Sequence, residues 1–162
     1  MFLGWSRIGE NQNGHEAAWQ LLAQMYRQQT GEAMPEAVRT PLGKPYFPDS
    51  PWHFSLSHTK RHVFCVLSDR PVGIDAEETD RKINLALADK ILSAGERTYF
   101  DRAEDKAVAL LTFWVLKEAE KKRTGQGLQP YPRDTDFSLN DPRVQRIDGC
   151  LVAVIEEEEY AV

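Results

Sequence analysis

Three apolar runs follow one another closely between residues 52 and 77, and they constrain the fold more than any other part of the sequence. The runs are WHFSLSH, HVFCVLS and PVGIDAE, separated by short turn-forming segments. Each is short and contains aromatic or β-branched residues, as strands do. Strands that follow one another through tight turns pair in opposite directions. The sequence therefore predicts a small antiparallel sheet in this region.

A helix should precede these strands, and an irregular connection should join the two. Asn13, with Glu16 three residues later, can open a helix through HEAAWQLLAQMYRQQ that ends before Gly31. Five of the nine prolines lie between positions 35 and 51. Because proline interrupts regular hydrogen bonding, this segment is predicted to be an irregular connection.

The second half of the sequence becomes helical. INLALADKIL predicts one helix, and Ser93 with Glu96 forms an S-x-x-E capping box before the next. The longest helix should extend from about residue 104 to 123 and stop at Gly125. DTDFSL and CLVAVIEEEEY predict strands, so we expect an α+β fold with helices segregated against antiparallel strands. The four glutamates at 156 to 159 are expected to form a solvated tail or an exposed edge.

Composition narrows the class of protein. The 162 residues are 41% hydrophobic and 28% charged, which predicts a single globular unit with an N-terminal lobe of about residues 1–70 and a C-terminal lobe of about 71–162. The net charge of −5 argues against general nucleic-acid binding. No run approaches the roughly 20 apolar residues of a membrane span, and the opening segment is too short for a signal peptide. We therefore expect no membrane partner and a cytoplasmic location.

The two cysteines carry no motif. Cys65 and Cys150 are far apart, lack C-x-x-C spacing and lie in the apolar stretches VFCVL and CLVAVI. This pattern favours buried reduced thiols over a disulfide or a zinc site.

Two carboxylates stand at the end of the predicted strand VGIDAE. Asp75 and Glu77 are two residues apart and share one face of an extended strand, whereas Ala76 points the other way. Gly73 would allow another backbone or a ligand to approach closely. A strand-end turn or a surface pair is the alternative interpretation of these carboxylates.

The long helix presents a stripe that changes from apolar to charged. Leu110 and Trp114 are four residues apart, and the same step reaches Glu118 and Lys122. An exposed i,i+4 ion pair is one interpretation of the last two residues. A carboxylate following a tryptophan on the inward face would instead lie at the edge of the core, where a metal ion could compensate its charge.

Asp75, Glu77 and Glu118 together offer three hard oxygen ligands, with no histidine or thiolate nearby in sequence. Such a set suits Mg²⁺, which keeps several waters and usually takes its remaining ligands from substrate phosphates. The sequence therefore indicates a magnesium site built from the strand and the helix.

Polar residues in FSLSHT and LGKPYF suggest anion binding. Ser57 and His58 suit phosphate contacts better than hydrolysis, because the chain lacks a G-x-S-x-G nucleophile elbow. Lys44 can add a point charge to such a site. For His58, an ordinary residue at a strand end is the alternative.

Four segments in order resemble the signature motifs of the Sfp-type 4′-phosphopantetheinyl transferases. They are GKPYF at 43–47, FSLSHT at 54–59, VGIDAE at 72–77 and FWVLKEAEKK at 113–122, followed by a G-x-G-L turn at 125–128. The Ser-His segment precedes the G-I-D motif, which favours the Sfp type over the shorter holo-acyl-carrier-protein synthases. The resemblance implies a 4′-phosphopantetheinyl transferase-like fold of two pseudo-symmetric lobes, with the first lobe shortened.

The resemblance also implies a function. A monomer or small oligomer would transfer the phosphopantetheine arm of coenzyme A to a serine of an acyl or peptidyl carrier protein, releasing 3′,5′-ADP. Mg²⁺ would be held by Asp75, Glu77 and Glu118. Glu118 would also take the serine proton, and Lys122 would stabilise the leaving phosphate oxygen. The residues that contact coenzyme A would be Lys44, Ser57 and His58.

Two other functions fit the same residues: a degenerate coenzyme A or nucleotide-binding module without transfer activity, and a Mg²⁺-dependent phosphodiesterase. Lys117, Lys121 and Arg123 suit the acidic helices of a carrier protein, with ordinary exposed helix charge as the alternative. The basic residues before GKP that remain for the 3′-phosphate of coenzyme A are Arg7, Arg27 and Arg39.

Overall fold

The computed structural model describes residues 1–127 and 135–159. The strands of these segments are β1 (Phe2–Arg7), β2 (Val38–Arg39), β3 (Pro45–Tyr46), β4 (His53–His58), β5 (His62–Ser68), β6 (Val72–Glu78), β7 (Val144–Ile147) and β8 (Cys150–Glu156). The helices are α1 (Gly14–Thr30), α2 (Ala88–Ile91), α3 (Ala94–Arg102) and α4 (Lys106–Thr124), with a 3₁₀ turn at Leu85–Leu87 before α2. This mixture of helices and small antiparallel sheets confirms the predicted α+β class.

Helix α1 begins and ends where the sequence predicts. The Asn13 side chain accepts a hydrogen bond from the backbone N–H of Glu16 at the first turn. At the other end Gly31 adopts φ 76°, a left-handed conformation that glycine tolerates without a steric penalty. Ala18 and Leu22 are buried on the face that packs against β5.

The first sheet has the strand order β1-β5-β4, and both pairings are antiparallel. β4 and β5 are two of the three predicted strands, whereas β1 was not predicted. Every residue of β5 is buried, because Phe64 and Val66 pack toward the second sheet while Cys65 and Leu67 pack toward α1. The central strand therefore has two apolar faces, as its continuous apolar sequence requires.

The second sheet has the order β6-β8-β7, again antiparallel throughout. The prediction that the PVGIDAE run joins the first sheet is wrong, because β6 pairs with β8 and places Asp75 opposite Ala153. DTDFSL is also not a strand over residues 135–139, and Asp134 lies outside the described residues. The strand of this region is instead β7, which forms a hairpin with β8 around Gly149 (φ 78°).

The two sheets pack face to face between two long helices. Ile74 of β6 and Val152 of β8 belong to the apolar cluster that also contains Phe64 and Val66 of β5. The opposite face of the second sheet carries Leu151, Ala153 and Ile155, which pack with α4. The layers therefore run from α1 through the first sheet and the second sheet to α4, and Asp75 and Glu77 lie on the side that faces α4.

Gly73 lets α4 lie directly against β6. A Cβ atom at this position would stand 1.9 Å from the carbonyl oxygen of Ala119 and 2.5 Å from the backbone nitrogen of Arg123. No side chain fits such a gap, so glycine is required where the helix crosses the strand. The sequence allowed either a backbone or a ligand to approach Gly73, and the structure shows that it is the backbone of α4. This contact brings Glu118 and Lys122 next to β6.

The capping box at the start of α3 forms as predicted. Ser93 accepts from the backbone N–H of Glu96, and Glu96 in turn accepts from the N–H of Ser93. Lys117 of α4 is fully buried, with its Nζ 2.8 Å from Glu96 Oε1. The suggestion that Lys117 contacts a carrier protein is therefore wrong, because its ammonium group is used inside the core. The INLALADKIL helix is also shorter than expected and reduces to the 3₁₀ turn and α2.

The glutamate run is only partly a solvated tail. Glu158 and Glu159 are exposed, but Glu156 ends β8 and pairs with Arg70 at 2.6 Å. Within the described residues, no helix has the length and apolar character needed to cross a membrane. Of the G-x-G-L turn, Gly125 and Gly127 have positive φ, and Leu128 lies outside the described residues.

Candidate active site

β6 presents its two predicted metal ligands to one cavity. Asp75 and Glu77 both line a cavity of about 330 Å³ between α1, β4 and β6, together with His58 and Arg39. This volume lies at the small end of the range for ligand pockets. The shared face expected from the two-residue repeat of a strand is therefore confirmed.

Asp75 is the most constrained of these carboxylates. Its Oδ1 accepts from Lys122 Nζ at 3.0 Å and from the Ser57 hydroxyl at 3.5 Å. Its Oδ2 is buried and accepts no hydrogen bond from any described residue. Burial raises the pKa of Asp75, Lys122 opposes this, and the charge of Glu118 adds to the increase. A buried carboxylate oxygen without a donor indicates a place for a cation.

Glu77 lies nearer the solvent and is paired with a cation of the chain. Its carboxylate accepts a hydrogen bond from Arg81, whose guanidinium also lies 5.8 Å from the centre of the Trp114 ring. Burial raises the pKa of Glu77, and the negative charge of Asp75 raises it further, while Arg81 acts in the opposite direction. The mutual repulsion of the two carboxylates shows that they share one electrostatic site.

Helix α4 contributes Glu118 and Lys122, and both are partly buried. Lys122 Nζ donates to the carbonyl oxygens of Leu56 (3.0 Å) and Ile74 (2.9 Å) as well as to Asp75. All three of its protons are therefore directed at β4 and β6. The interpretation of Lys122 as an exposed surface charge is wrong, because it fastens the helix to the two strands.

Glu118 lines a second cavity that adjoins the first. The two cavities share Lys122, Pro45 and Leu56 in their walls. The structure therefore brings Asp75 and Glu77 together and places Glu118 beside them across Lys122. A tight cage of three ligands is not formed, since the only described set of three potential ligands whose atoms all lie within 4.8 Å of one another is a different one: His62, Glu78 and Cys150.

The predicted phosphate-contacting residues differ in their exposure and in the cavity that they line. His58 is exposed and lines the first cavity, and Lys44 lines the second. Lys44 Nζ donates to the carbonyl oxygen of Arg123 at 2.6 Å. Burial lowers the pKa of Lys44, and the charge of Arg123 lowers it further. A cation at the mouth of a cavity in this environment is suited to an incoming anion.

Ser57 is buried, and its hydroxyl already has two partners. It accepts from the backbone N–H of Ala76 at 3.1 Å and donates to Asp75. Ser55, two residues earlier, accepts from the N–H of Ile74 at 3.1 Å in the same way. These serines satisfy the free edge of β6, which is not paired with another strand on that side. The role of Ser57 toward a phosphate stays a prediction.

Three further residues line or support the site. Arg39 lies in the wall of the first cavity and donates to the carbonyl oxygen of Gly43 at 2.8 Å. Arg81 donates a hydrogen bond to Glu77, and its guanidinium lies over the ring of Trp114. Arg39 was suggested by its charge alone. Arg81 was not predicted, because the turn after β6 brings it back to Glu77. Trp114 was identified through the stripe of α4, but its contact with Arg81 required the tertiary structure.

The residues fit a hard divalent cation. The donors are carboxylate oxygens, and one of them is buried without a hydrogen-bond donor among the described residues. The charge of Glu118 raises the pKa of Asp75, and the charge of Asp75 raises the pKa of Glu77. Magnesium needs few protein ligands because it retains water and binds phosphate oxygens. A loose set of carboxylates in a cavity wall matches this requirement.

The fold and the site together define an α+β protein with a group of carboxylates that suits a divalent cation. This group lies between an edge strand and a long helix and is flanked by cationic residues. The family model of the 4′-phosphopantetheinyl transferase superfamily matches residues 71–158, which is more than half of the chain. The chain therefore belongs to this superfamily, and the Sfp-type resemblance of its motifs is confirmed.

Curated relatives agree with this assignment. The chain is 41% identical over 91 residues to the 4′-phosphopantetheinyl transferase Sfp of Bacillus subtilis (strain 168), a match that covers 53% of this chain and 39% of that protein. A 4′-phosphopantetheinyl transferase of Bacillus subtilis is 30% identical over 129 residues, covering 73% of this chain and 57% of that protein. The holo-[acyl-carrier-protein] synthase of Mycoplasmopsis pulmonis is 29% identical over 93 residues, covering 56% and 83%. The match to the Sfp-named relative spans about two fifths of that relative's length.

Proposed function

We propose that this protein transfers the 4′-phosphopantetheine group of coenzyme A to a serine of an acyl or peptidyl carrier protein, in a Mg²⁺-dependent reaction that releases 3′,5′-ADP. The observation that carries the proposal is the position of the family motifs, which meet where Asp75 Oδ2 is buried without a hydrogen-bond donor. Both cysteines are free thiols, as in a reducing compartment, and the proposed location is the cytoplasm. The proposed assembly is a monomer or small oligomer.

Asp75, Glu77 and Glu118 would hold Mg²⁺, which would neutralise the pyrophosphate charge as its bond to the departing nucleotide breaks. Lys122 holds Asp75 in place through Oδ1 and leaves Oδ2 directed into the site. Ser57 adds a second contact on Oδ1. The strand carboxylate is therefore oriented before any ligand arrives, and this reduces the reorganisation needed during reaction.

The reaction forms one bond and breaks another at the phosphorus atom that carries the pantetheine arm. The serine oxygen of the carrier protein bonds to this phosphorus, and the oxygen that links it to 3′,5′-ADP leaves with the bonding electron pair. Glu118, in the wall of the second cavity, accepts the serine proton directly or through water. Lys122 lies in the walls of both cavities and stabilises the leaving phosphate oxygen.

The remaining cations contact the phosphates and ribose of coenzyme A. His58 and Arg39 line the cavity of Asp75, and Lys44 lines the cavity of Glu118. Coenzyme A carries several negative charges, so cations in both walls attract it and fix its orientation. Ser57 is assigned to the same ligand through its position beside His58 in the motif.

Mass measurement of the carrier protein tests the proposal. The protein is mixed with coenzyme A, Mg²⁺ and a panel of apo carrier proteins, and each carrier is weighed before and after incubation. We expect a gain of one phosphopantetheine group on a single serine and release of 3′,5′-ADP. No gain with any carrier would reject transfer. Coenzyme A binding that calorimetry finds indifferent to Mg²⁺ would then favour a binding module, and free pantetheine phosphate would favour a phosphodiesterase.

Substitutions test the residue roles. Asp75→Ala and Glu118→Gln should abolish transfer while the circular dichroism spectrum stays that of a folded protein. Glu120→Gln is the matched control on α4, because Glu120 pairs with Arg123 outside both cavities. Retained activity in either site variant would reject the proposed ligand set.

A further inference from the structure

A second group of potential metal ligands lies on the other face of β6. His62 of β5, Glu78 of β6 and Cys150 of β8 are all buried, and their ligand atoms lie within 4.8 Å of one another. Glu78 follows Glu77 directly, but successive residues of a strand point to opposite faces. Glu78 therefore points between the two sheets, whereas Asp75 and Glu77 point toward α4. The two groups are separate sites on the same strand.

The distances in this group suit a tetrahedral ion. His62 Nδ1 is 3.4 Å from Cys150 Sγ and 3.2 Å from Glu78 Oε1. With metal–ligand bonds of about 2.0–2.3 Å, the edges of a tetrahedral zinc site measure about 3.3–3.6 Å. The two distances from His62 are thus close to the spacing that a zinc-class ion requires, and the ligand atoms of Glu78 and Cys150 lie within 4.8 Å of each other.

Asp148 contacts the ring nitrogen of His62 that does not face Glu78 and Cys150. His62 Nε2 lies 2.8 Å from Asp148 Oδ2. A carboxylate at one ring nitrogen places a proton there and leaves the lone pair of the other nitrogen for a metal, as in many zinc sites. In this tautomer Nδ1 and Glu78 Oε1 face each other as two acceptors. A bound cation satisfies both.

The protein donors that now contact Glu78 need not block an ion. Arg61 Nε is 3.0 Å from Glu78 Oε1, but its side chain is 56% exposed and its Nη2 also binds Asp80 at 2.8 Å. The guanidinium can therefore leave Glu78 and remain paired with Asp80. Thr59 donates its hydroxyl to the same oxygen at 2.9 Å and can rotate its proton elsewhere.

We propose that His62, Glu78 and Cys150 bind a divalent transition-metal ion of the zinc class at the junction of the two sheets. A thiolate, an imidazole and a carboxylate select such an ion over Mg²⁺, which prefers oxygen ligands alone. Because a metal ion binds the thiolate form of cysteine, its binding releases the thiol proton of Cys150. The bound ion links β5 of the first sheet to β6 and β8 of the second and stabilises their packing.

Cobalt spectroscopy of the full chain tests this site. The protein is stripped with a chelator, exchanged into chelator-free buffer with excess Mg²⁺, and titrated with Co²⁺. We expect a near-ultraviolet thiolate-to-cobalt band that saturates at one equivalent and is not displaced by Mg²⁺. The chain has only two cysteines, so each can be assigned. Cys65→Ser is the matched control. Cys65 is also a buried thiol, but its sulfur donates to the backbone carbonyl oxygen of Ala18 and is not part of the proposed site.

Cys65→Ser should retain the band and Cys150→Ser should lose it. If Cys150→Ser does not fold, the band retained by Cys65→Ser still assigns the thiolate to Cys150 by elimination. Asp148→Asn should weaken Co²⁺ binding about 10- to 100-fold while leaving the band in place. Zn²⁺ should raise the melting temperature of the wild-type protein. Absence of the band at one equivalent, or its loss in Cys65→Ser, would overturn the proposal.

Discussion

Asp75 lies in an environment that is unfavourable for its negative charge. Its carboxylate is buried, one oxygen has no donor among the described residues, and burial raises its pKa. A charge in such surroundings lowers the stability of the folded state unless a cation compensates it. Functional sites commonly retain such unfavourable groups because the ligand needs them.

Asp75→Asn should therefore stabilise the protein when no divalent ion is present. The amide keeps an acceptor for Lys122 and removes the desolvated charge, so we expect the free energy of unfolding to rise by about 1 kcal/mol. Urea denaturation in the presence of a chelator measures this change. We expect Mg²⁺ to raise the melting temperature of the wild-type protein, and the same variant should lose this increase. A variant less stable than the wild type in chelator would contradict this account of Asp75.

Ser57 and Ser55 form a natural matched pair. Each hydroxyl accepts one buried backbone N–H of β6, but only Ser57 also donates to Asp75. Replacing either serine with alanine leaves a buried N–H unpaired, so both variants should lose about 1–3 kcal/mol of stability. Only Ser57→Ala should also reduce phosphopantetheine transfer, measured by carrier mass at a temperature where both variants are folded. Equal activity in the two variants would assign Ser57 a purely structural role.

The sequence identified the charged residues of the site better than the polar ones. The repeat of two in a strand placed Asp75 and Glu77 on one face, and the repeat of four in a helix brought Glu118 to the edge of the core. The bond from Ala76 to Ser57 was not predictable, because it depends on two strands of different sheets lying side by side. Sequence periodicity describes one element at a time and contains no information on such neighbours.

At the scale of elements, the crossing of α4 over β6 determines the geometry of the site. The gap at Gly73 is closed by the backbone of Ala119, so the helix cannot move nearer and any side chain would push it away. Glu118 and Lys122 belong to the turn of α4 that lies at this crossing. A displacement of the helix there moves both residues relative to Asp75.

Gly73→Ala should consequently disrupt folding and activity together. The new methyl group meets backbone rather than a flexible side chain, so we expect a loss of about 3 kcal/mol or more. Gly9→Ala is the control, because a Cβ atom there has its nearest neighbour at an ordinary 3.6 Å. Thermal denaturation of both variants tests the difference. A Gly73→Ala protein as stable as Gly9→Ala would show that α4 does not pack on β6 in this way.

The ion pair of Lys117 and Glu96 joins α3 to α4 inside the core. Both side chains are fully buried, and Glu96 Oε2 also accepts from the backbone N–H of Phe137. Lys117→Met leaves the glutamate as an unpaired buried charge, which should cost about 3–5 kcal/mol of stability. The control is Lys60→Met on the exposed turn after β4, where a surface change should stay within about 0.5 kcal/mol. Chemical denaturation of the two variants measures both values.

Elements with strong local signals were predicted, and those defined by pairing were not. The capping residues Asn13 and Ser93 and the stop at Gly125 gave the boundaries of α1, α3 and α4 closely. β1 was missed because four of its six residues are exposed and its sequence has little alternation. The burial of Lys117 was missed because the charge pattern of a helix does not show which neighbour can supply a partner.

At the scale of the whole molecule, charged groups join the two sheets at the turns that precede β5 and β8. Asp148, in the turn between β7 and β8, accepts from Arg7 of β1 and lies within 2.8 Å of His62 of β5. Glu78 of β6 accepts from Arg61 in the turn between β4 and β5. Each contact connects the first sheet with the second. A polar network therefore connects the two sheets beside the apolar cluster that lies between them.

This network should make the stability of the molecule depend on acidity. Burial of Glu78 raises its pKa, but the hydrogen bonds from Arg61 and Thr59 and the charge of Arg61 outweigh this and lower the pKa to about 2, from 4.5. A carboxyl group whose pKa is lower in the folded state stabilises the protein at pH values above 4.5. That contribution is lost as the pH falls from 4.5 toward 2, because the unfolded chain takes up the proton first. Arg7 and His62 likewise lower the pKa of Asp148, so its contribution also disappears in acid.

Glu78→Gln should flatten this acid dependence. Its amide cannot take up the proton that stabilises the unfolded wild-type chain, so the melting temperature of the variant should fall less between pH 4.5 and 2. Asp80→Asn is the control, because Asp80 pairs with Arg61 at the surface and its substitution should leave most of the dependence in place. Melting curves in chelator across this pH range separate the two. If the melting temperatures of Glu78→Gln and the wild type fell equally in acid, the Glu78 carboxylate would not stabilise the junction of the two sheets.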